Sequence, residues 1–124
     1  MNPSAVLSGG TPNAEMVKDP DIRYHLEGCM EEVFKAASAV TGIPFPPPKL
    51  ATTEQILRST ERNEGGKPSM LLDWERGGVM ELEAILGNPI RIAMEKGVVM
   101  PRLQAMYAFL KTAQMRRDKR QSKL

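Results

Sequence analysis

The stretch from Ser69 to Lys111, SMLLDWERGGVMELEAILGNPIRIAMEKGVVMPRLQAMYAFLK, decides the fold. Its apolar residues recur at helical spacing: Leu82, Ile85, Leu86, Ile90 and Ala93 share one broad face, and Leu103, Met106, Tyr107, Leu110 and Ala113 share another. Pro68 pre-sets the backbone of a first helical turn, which leaves the N–H groups and hydroxyl around Ser69 free to face an anion such as a carboxylate. Glu81 opens a second helix and Pro101 a third, while Pro89 should bend the middle one. No alternation of period two competes with this reading. The expected class is all-α, a helical bundle.

Certain residues in this stretch carry a resemblance: Ser69, Met70 and Asp73, then Glu81 and Gly87, then Gly97, Val98 and Pro101, and finally Tyr107, Leu110 and Lys111. Together they resemble the pattern S-M-x-x-D, E-I-D-x-I-N-G, G-V-x-x-P and an aromatic-containing last helix, found in the C-terminal domain of ketopantoate reductase, a fold shared with 6-phosphogluconate dehydrogenase-like proteins. Two positions depart from it. Glu83 stands where an Asp is usual, and Leu86 stands where Asn precedes the glycine, with Asn88 close by.

Upstream, Asn2-Pro3 looks like the end of the family's helix that bears Lys, Asn and Asn four residues apart, a spacing that sets all three on one face. In the family the Lys gives its proton to the ketone oxygen; here it would fall eight residues before Asn2, so no catalytic residue is expected within the chain. Asn13, in the turn Gly9-Gly10-Thr11-Pro12-Asn13, looks like the next ligand-facing Asn, with a loop one residue longer than usual. The resemblance thus implies substrate contacts at Asn2, Asn13 and Ser69, and a cofactor contact at Glu81. Each has a plainer role open to it. Ser69 suits a helix start, Glu81 the positive end of its helix, and Asn2 and Asn13 ordinary turns.

The cofactor implied by the resemblance is NADP(H). A nicotinamide enzyme needs a phosphate cradle such as G-x-G-x-x-G between a strand and a helix, and none of the ten glycines falls in that arrangement. NADPH is therefore expected on a Rossmann domain outside this sequence, with the helical domain closing over it to hold ketopantoate. Hydride transfer to the keto carbon would give pantoate for pantothenate and coenzyme A synthesis. On this reading the chain is the substrate-binding half of a 2-dehydropantoate 2-reductase and is inactive alone. The alternative is a free-standing, non-catalytic helical module that binds a metabolite or a protein. The Rossmann domain would cover its docking surface on the first reading, and self-association or a partner would cover it on the second.

The remaining sequence reads as helices and breaks. Asp19-Pro20 gives a cap and a first turn, after which Ile22, Leu26, Cys29 or Met30, Val33, Ala37 and Val40 recur until Gly42 closes the helix. Ile43 to Pro48 is a rigid proline connector. A modest helix starts at Thr53-Glu54, or with Thr52 and Gln55 as a capping box, and ends before Asn63-Glu64-Gly65-Gly66. Asp73 and Arg76 are spaced for a local pair.

Composition bounds the rest. The chain has 124 residues, nine Met and a lone Cys29, and no run approaches the roughly 18 apolar residues that span a bilayer. One domain over residues 1–115 is expected, without membrane insertion or an internal disulfide. His25 and Cys29 lie one turn apart, but two soft donors lacking two more at fitting spacing do not make a zinc site, so no metal is expected. The net charge of +2 conceals a division: residues 116–124 carry five basic groups and one acidic, leaving the remainder at −2. That tail is expected to be flexible. It lacks the interleaved aromatics of a nucleic-acid binder, so no nucleic acid is expected. Its end, Ser122-Lys123-Leu124, matches the address read by the peroxisomal import receptor or is an accidental ending. The expected location is cytoplasmic or peroxisomal.

Overall fold

The computed structural model describes residues 1–44, 52–62 and 65–123. These form α1 (Asn2–Leu7), α2 (Asn13–Lys18), α3 (Pro20–Thr41), α4 (Thr53–Arg62), α5 (Ser69–Glu75), a π-helical turn (Glu83–Gly87) running into α6 (Asn88–Glu95), and α7 (Pro101–Ser122), with no strand among the described residues. Among the described residues no helix is long and apolar enough to cross a membrane. The all-α expectation holds.

Local chemistry sets several boundaries. Asp19 accepts hydrogen bonds from the N–H groups of Asp21 and Ile22 and so caps α3, and Gly42 ends that helix at φ 74°, a conformation that penalises a Cβ. Thr52 and Gln55 form the reciprocal capping box: the Thr52 N–H donates to Gln55 Oε1 at 2.8 Å and the Gln55 N–H donates to Thr52 Oγ1 at 3.3 Å. The bend foreseen at Pro89 takes the form of the π turn. Proline has no N–H for the carbonyl four residues back, and the wider turn lets Leu82, Leu86, Ile90 and Ala93 all remain buried.

Two apolar clusters hold the helices together. One joins α1, α2, α3, α4 and α5 through Ala5, Met16, Val17, Leu26, Leu57 and Leu71. The larger one gathers Met70, Met80, Leu82, Leu86, Ile90, Met100, Leu103, Met106 and Leu110, with Ala36 of α3 against them. Each fully buried Leu or Met contributes on the order of 2 kcal/mol.

Several expectations are corrected. Val33 and Val40 face outward, because α3 turns Gly28, Glu32 and Ala36 inward instead. Pro68 stands one residue before α5 at ψ 154°, and helical residues begin at Leu82, one past Glu81. Asp73 and Arg76 do not pair, since Arg76 is already the C-cap of α5. The segment expected as a flexible tail is helical to Ser122. Its Lys, Arg and Gln are good helix formers, and Arg117 stacks 3.2 Å from the centre of the Trp74 ring. Residues 45–51, which include the connector from Phe45 to Pro48, together with Asn63-Glu64 and Leu124, lie outside the described residues.

Candidate functional site

Gly9 and Gly10, both at positive φ, turn the chain sharply after α1, with the Gly10 N–H bonding the Ala5 carbonyl. This turn brings Asn13, the first residue of α2, beside the strand-like approach to α5: the Asn13 N–H donates to the Gly66 carbonyl at 3.0 Å, three residues before Ser69. Helix α1, which Asn2 opens, packs against α5 as well. Thus Asn2, Asn13 and Ser69 come from neighbouring elements. Glu81 is reached through packing: Met80 and Leu82 on either side of it share the larger core with Met70, next to Ser69, and with Val6 of α1. Gln114 of α7 fixes that approach by accepting from the Met80 N–H at 3.2 Å.

The four side chains have one property in common. Among the described residues none of them hydrogen-bonds another side chain, and Ser69 does not cap its own helix. In Asn2 and Asn13 the amide oxygen is buried without any partner. A buried polar atom left unpaired costs roughly 1–3 kcal/mol, and this holds whichever end of the amide points inward. Ser69 and Glu81 are exposed, so their groups stay hydrated until something replaces the water. Helix α5 spans only seven residues, which weakens the expected anion-facing helix end; the hydroxyl of Ser69 is its stronger asset.

Two residues beyond Glu81, Glu83 is fully engaged. Tyr107 donates its hydroxyl to Glu83 Oε1 at 2.5 Å, and Arg91 reaches Oε2 at 2.6 Å and Asn88 Oδ1 at 2.5 Å. The Tyr107 bond, followed by that of Arg91, holds the Glu83 carboxyl below its ordinary range. Lys111 lies 5.2 Å over the Tyr107 ring. This exposed clamp ties the π turn to α7 and was not foreseen; opposite charges eight residues apart across a proline were its one sequence signal. Leu86, the other departure from the family pattern, is 2% exposed and belongs to the core.

Glu32 was also missed. Its carboxylate accepts from the Arg102 N–H at 3.0 and 3.1 Å and from the Leu103 N–H at 3.3 Å, and so caps α7 from another helix.

Comparison with known proteins gives a consistent result. Residues 1–114 match the family model described as ketopantoate reductase PanE/ApbA C terminal. A 2-dehydropantoate 2-reductase of Nostoc sp. is 33% identical over 108 residues, covering 87% of this chain and 32% of that protein. An uncharacterised protein of Saccharomyces cerevisiae is 50% identical over 58 residues, or 47% of this chain and 16% of its own. Among solved structures, 2-dehydropantoate 2-reductase from Methylococcus capsulatus superposes with a TM-score of 0.81 at 32% identity, covering 94% of this chain and 39% of that one. A dimeric ketopantoate reductase from Staphylococcus aureus gives 0.76 at 25% identity over the same shares. The chain therefore spans a third or less of the curated relatives' lengths.

Proposed function

Because the chain belongs to the ketopantoate reductase C-terminal domain family, we propose that it is the substrate-holding part of an NADPH-dependent 2-dehydropantoate 2-reductase. The observation that carries this reading is the pair of orphaned amide oxygens at Asn2 and Asn13. Ketopantoate has a hydroxyl, a keto oxygen and a carboxylate. An amide oxygen that is buried without a donor is satisfied by the substrate hydroxyl, and the Ser69 hydroxyl donates to the carboxylate.

The cofactor fits this chain at one edge only. Glu81 offers an exposed carboxylate that accepts from a hydroxyl of the cofactor or the substrate, whereas no glycine sequence here can cradle its phosphates. When bound, the nicotinamide supplies the hydride that reduces the keto carbon. The work of this chain is to orient: the two Asn and Ser69 fix the substrate's polar groups, and the clamp of Glu83, Arg91 and Tyr107 holds the turn that follows Glu81 in place.

The test uses the native polypeptide, captured from its source cells with an antibody to residues 1–115. The expected product is longer by about 150–200 residues, the size of a further domain, and reduces ketopantoate with NADPH. Asn13→Ala in that protein should raise KM for ketopantoate by roughly tenfold, the value of one hydrogen bond, with KM for NADPH unchanged. A captured protein that does not reduce ketopantoate overturns the reading.

A further inference from the structure

The inner face of α7 changes character halfway along. Leu103, Met106 and Leu110 are apolar and belong to the larger core, whereas Gln114, Arg117, Asp118 and Gln121, which continue that face at steps of three and four, are polar. A helix that served only to pack would go on with apolar residues. This one turns polar beside the link from α5 to Leu82, residues 76–81, whose non-helical backbone must find hydrogen bonds elsewhere.

The end of α7 holds this link along its length. At the Glu81 side, the Met80 N–H donates to Gln114 Oε1 at 3.2 Å, and the buried Gln114 amide is kept that way round because its Nε2 donates to Asp118 Oδ1 at 2.9 Å. At the α5 side, Arg117 donates to the Trp74 carbonyl and stacks on its ring. Between them, Gln121 Nε2 reaches the Gly77 carbonyl at 3.5 Å. The link needs such restraint: it contains Gly77-Gly78, with Gly77 at φ 76°, and two successive glycines leave a backbone unusually free.

Ser69 opens α5 before the link and Glu81 stands at its far end, so the link sets the spacing of the two groups. We propose that Gln114, oriented by Asp118 and backed by Arg117 and Gln121, is a positioning residue: through it the end of α7 clasps the Gly77-Gly78 link and fixes Glu81 relative to Ser69. The inference rests on the roles proposed above for Ser69 and Glu81. A displacement of about 1 Å at such a group can cost on the order of a hundredfold in rate, so a short flexible link between two ligand contacts has to be tied. Arg117, Asp118 and Gln121 lie beyond residues 1–114, the part that the family model matches, so the family pattern does not contain the clasp.

The test uses the native polypeptide, with circular dichroism of every variant as the check on folding. Gln114→Leu is similar in size but gives the Met80 N–H no acceptor, Asp118→Ala frees the Gln114 amide to turn over, and Asp118→Asn keeps an acceptor for it. Amide exchange at Met80, measured without ligand, should quicken at least roughly tenfold in Gln114→Leu and in Asp118→Ala, and by less in Asp118→Asn, while the middle of α3 is unaffected. In ketopantoate reduction with NADPH, Gln114→Leu should lower kcat/KM by roughly tenfold, but by less than about twofold in a Glu81→Ala background, where no carboxylate is left to misplace. Unchanged exchange at Met80, or an equal loss of kcat/KM with and without Glu81, would overturn the proposal. Because exchange is read without substrate, a polypeptide inert toward ketopantoate sinks the reductase reading, while exchange at Met80 still decides whether α7 clasps the link.

Discussion

Glu32 and Arg102, 70 residues apart, are joined three times over: the Glu32 carboxylate takes the Arg102 backbone N–H with both oxygens and pairs with its guanidinium. The Leu103 N–H adds a fourth bond. Pro101 starts α7 without a donor of its own, so Glu32 satisfies the next two free N–H groups. Glu32→Ala should therefore lower stability by about 2–3 kcal/mol, and Glu32→Gln by less, because the amide keeps one acceptor. Urea unfolding followed by circular dichroism measures both; equal losses would show that the charge rather than the acceptor matters.

Gly28 lies under the same guanidinium, and a Cβ there would collide with the Arg102 Cδ, Nε and Cζ atoms. Gly28→Ala gains about 1 kcal/mol in helix propensity but drives Arg102 from its place. The side-chain pair itself, a partly exposed guanidinium on the buried Glu32 carboxylate, is worth about 1 kcal/mol. The two effects should nearly cancel in the wild type. In an Arg102→Ala background, Gly28→Ala should instead stabilise by about 1 kcal/mol. A thermodynamic cycle of the four proteins tests this, and no sign of coupling would remove the steric contact.

The response to pH has two limbs. His25 titrates below its ordinary 6.5 in the fold, so the unfolded chain binds more protons on the acid side, and stability falls as pH drops through 6.5. Cys29, raised from 9.0 to about 11, keeps its proton longer when folded; its contribution is complete below 9.0 and is lost as pH climbs to about 11. His25→Gln should flatten the acid limb near 6.5 and Cys29→Ala the alkaline one. Glu54 and Glu83, held below 4.5 by their hydrogen bonds, contribute stability that is lost only at still lower pH. Unfolding midpoints across pH in the two variants separate these limbs.

Arg117 covers the only Trp of the chain, stacking on the Trp74 ring and donating to the Trp74 carbonyl. Arg117→Ala should cost about 1 kcal/mol and shift Trp74 emission toward that of a hydrated indole. Amide exchange from Arg116 to Ser122 should quicken at the same time, since this stack ties the last turns of α7 to α5. Unchanged exchange would mean that the helix end stands by its own propensity.

The sequence disclosed what local chemistry controls. Asp19-Pro20, Gly42 and the Thr52–Gln55 box act on residues within a turn of themselves, so α3 and the start of α4 were readable. The core faces of α6 and α7 were readable for the same reason, since each is a stripe of large apolar residues. The inward face of α3 was not. Val33 and Val40 fit the helical period, yet Gly28, Glu32 and Ala36 turn toward α7, because a close approach and a cap for its first turn outweigh two valines. At the candidate site, a family pattern pointed to Asn13 and Ser69, but periodicity could not reveal the Gly66 bond that brings their elements together, nor the burial of the Asn2 and Asn13 oxygens.

The seat of α1 has a consequence for biosynthesis. Ser4 bonds Met106, 102 residues later, and α1 packs on both α5 and α7. A ribosome adding about 5–20 residues per second leaves α1 without that seat for roughly 5–20 seconds after it is made. Its apolar side, Ala5 and Val6, must wait in solution or in the hold of a chaperone until α7 emerges. Helix α1 is thus made well before the helix that houses it, and a nascent chain halted before Met106 should leave α1 open to proteases.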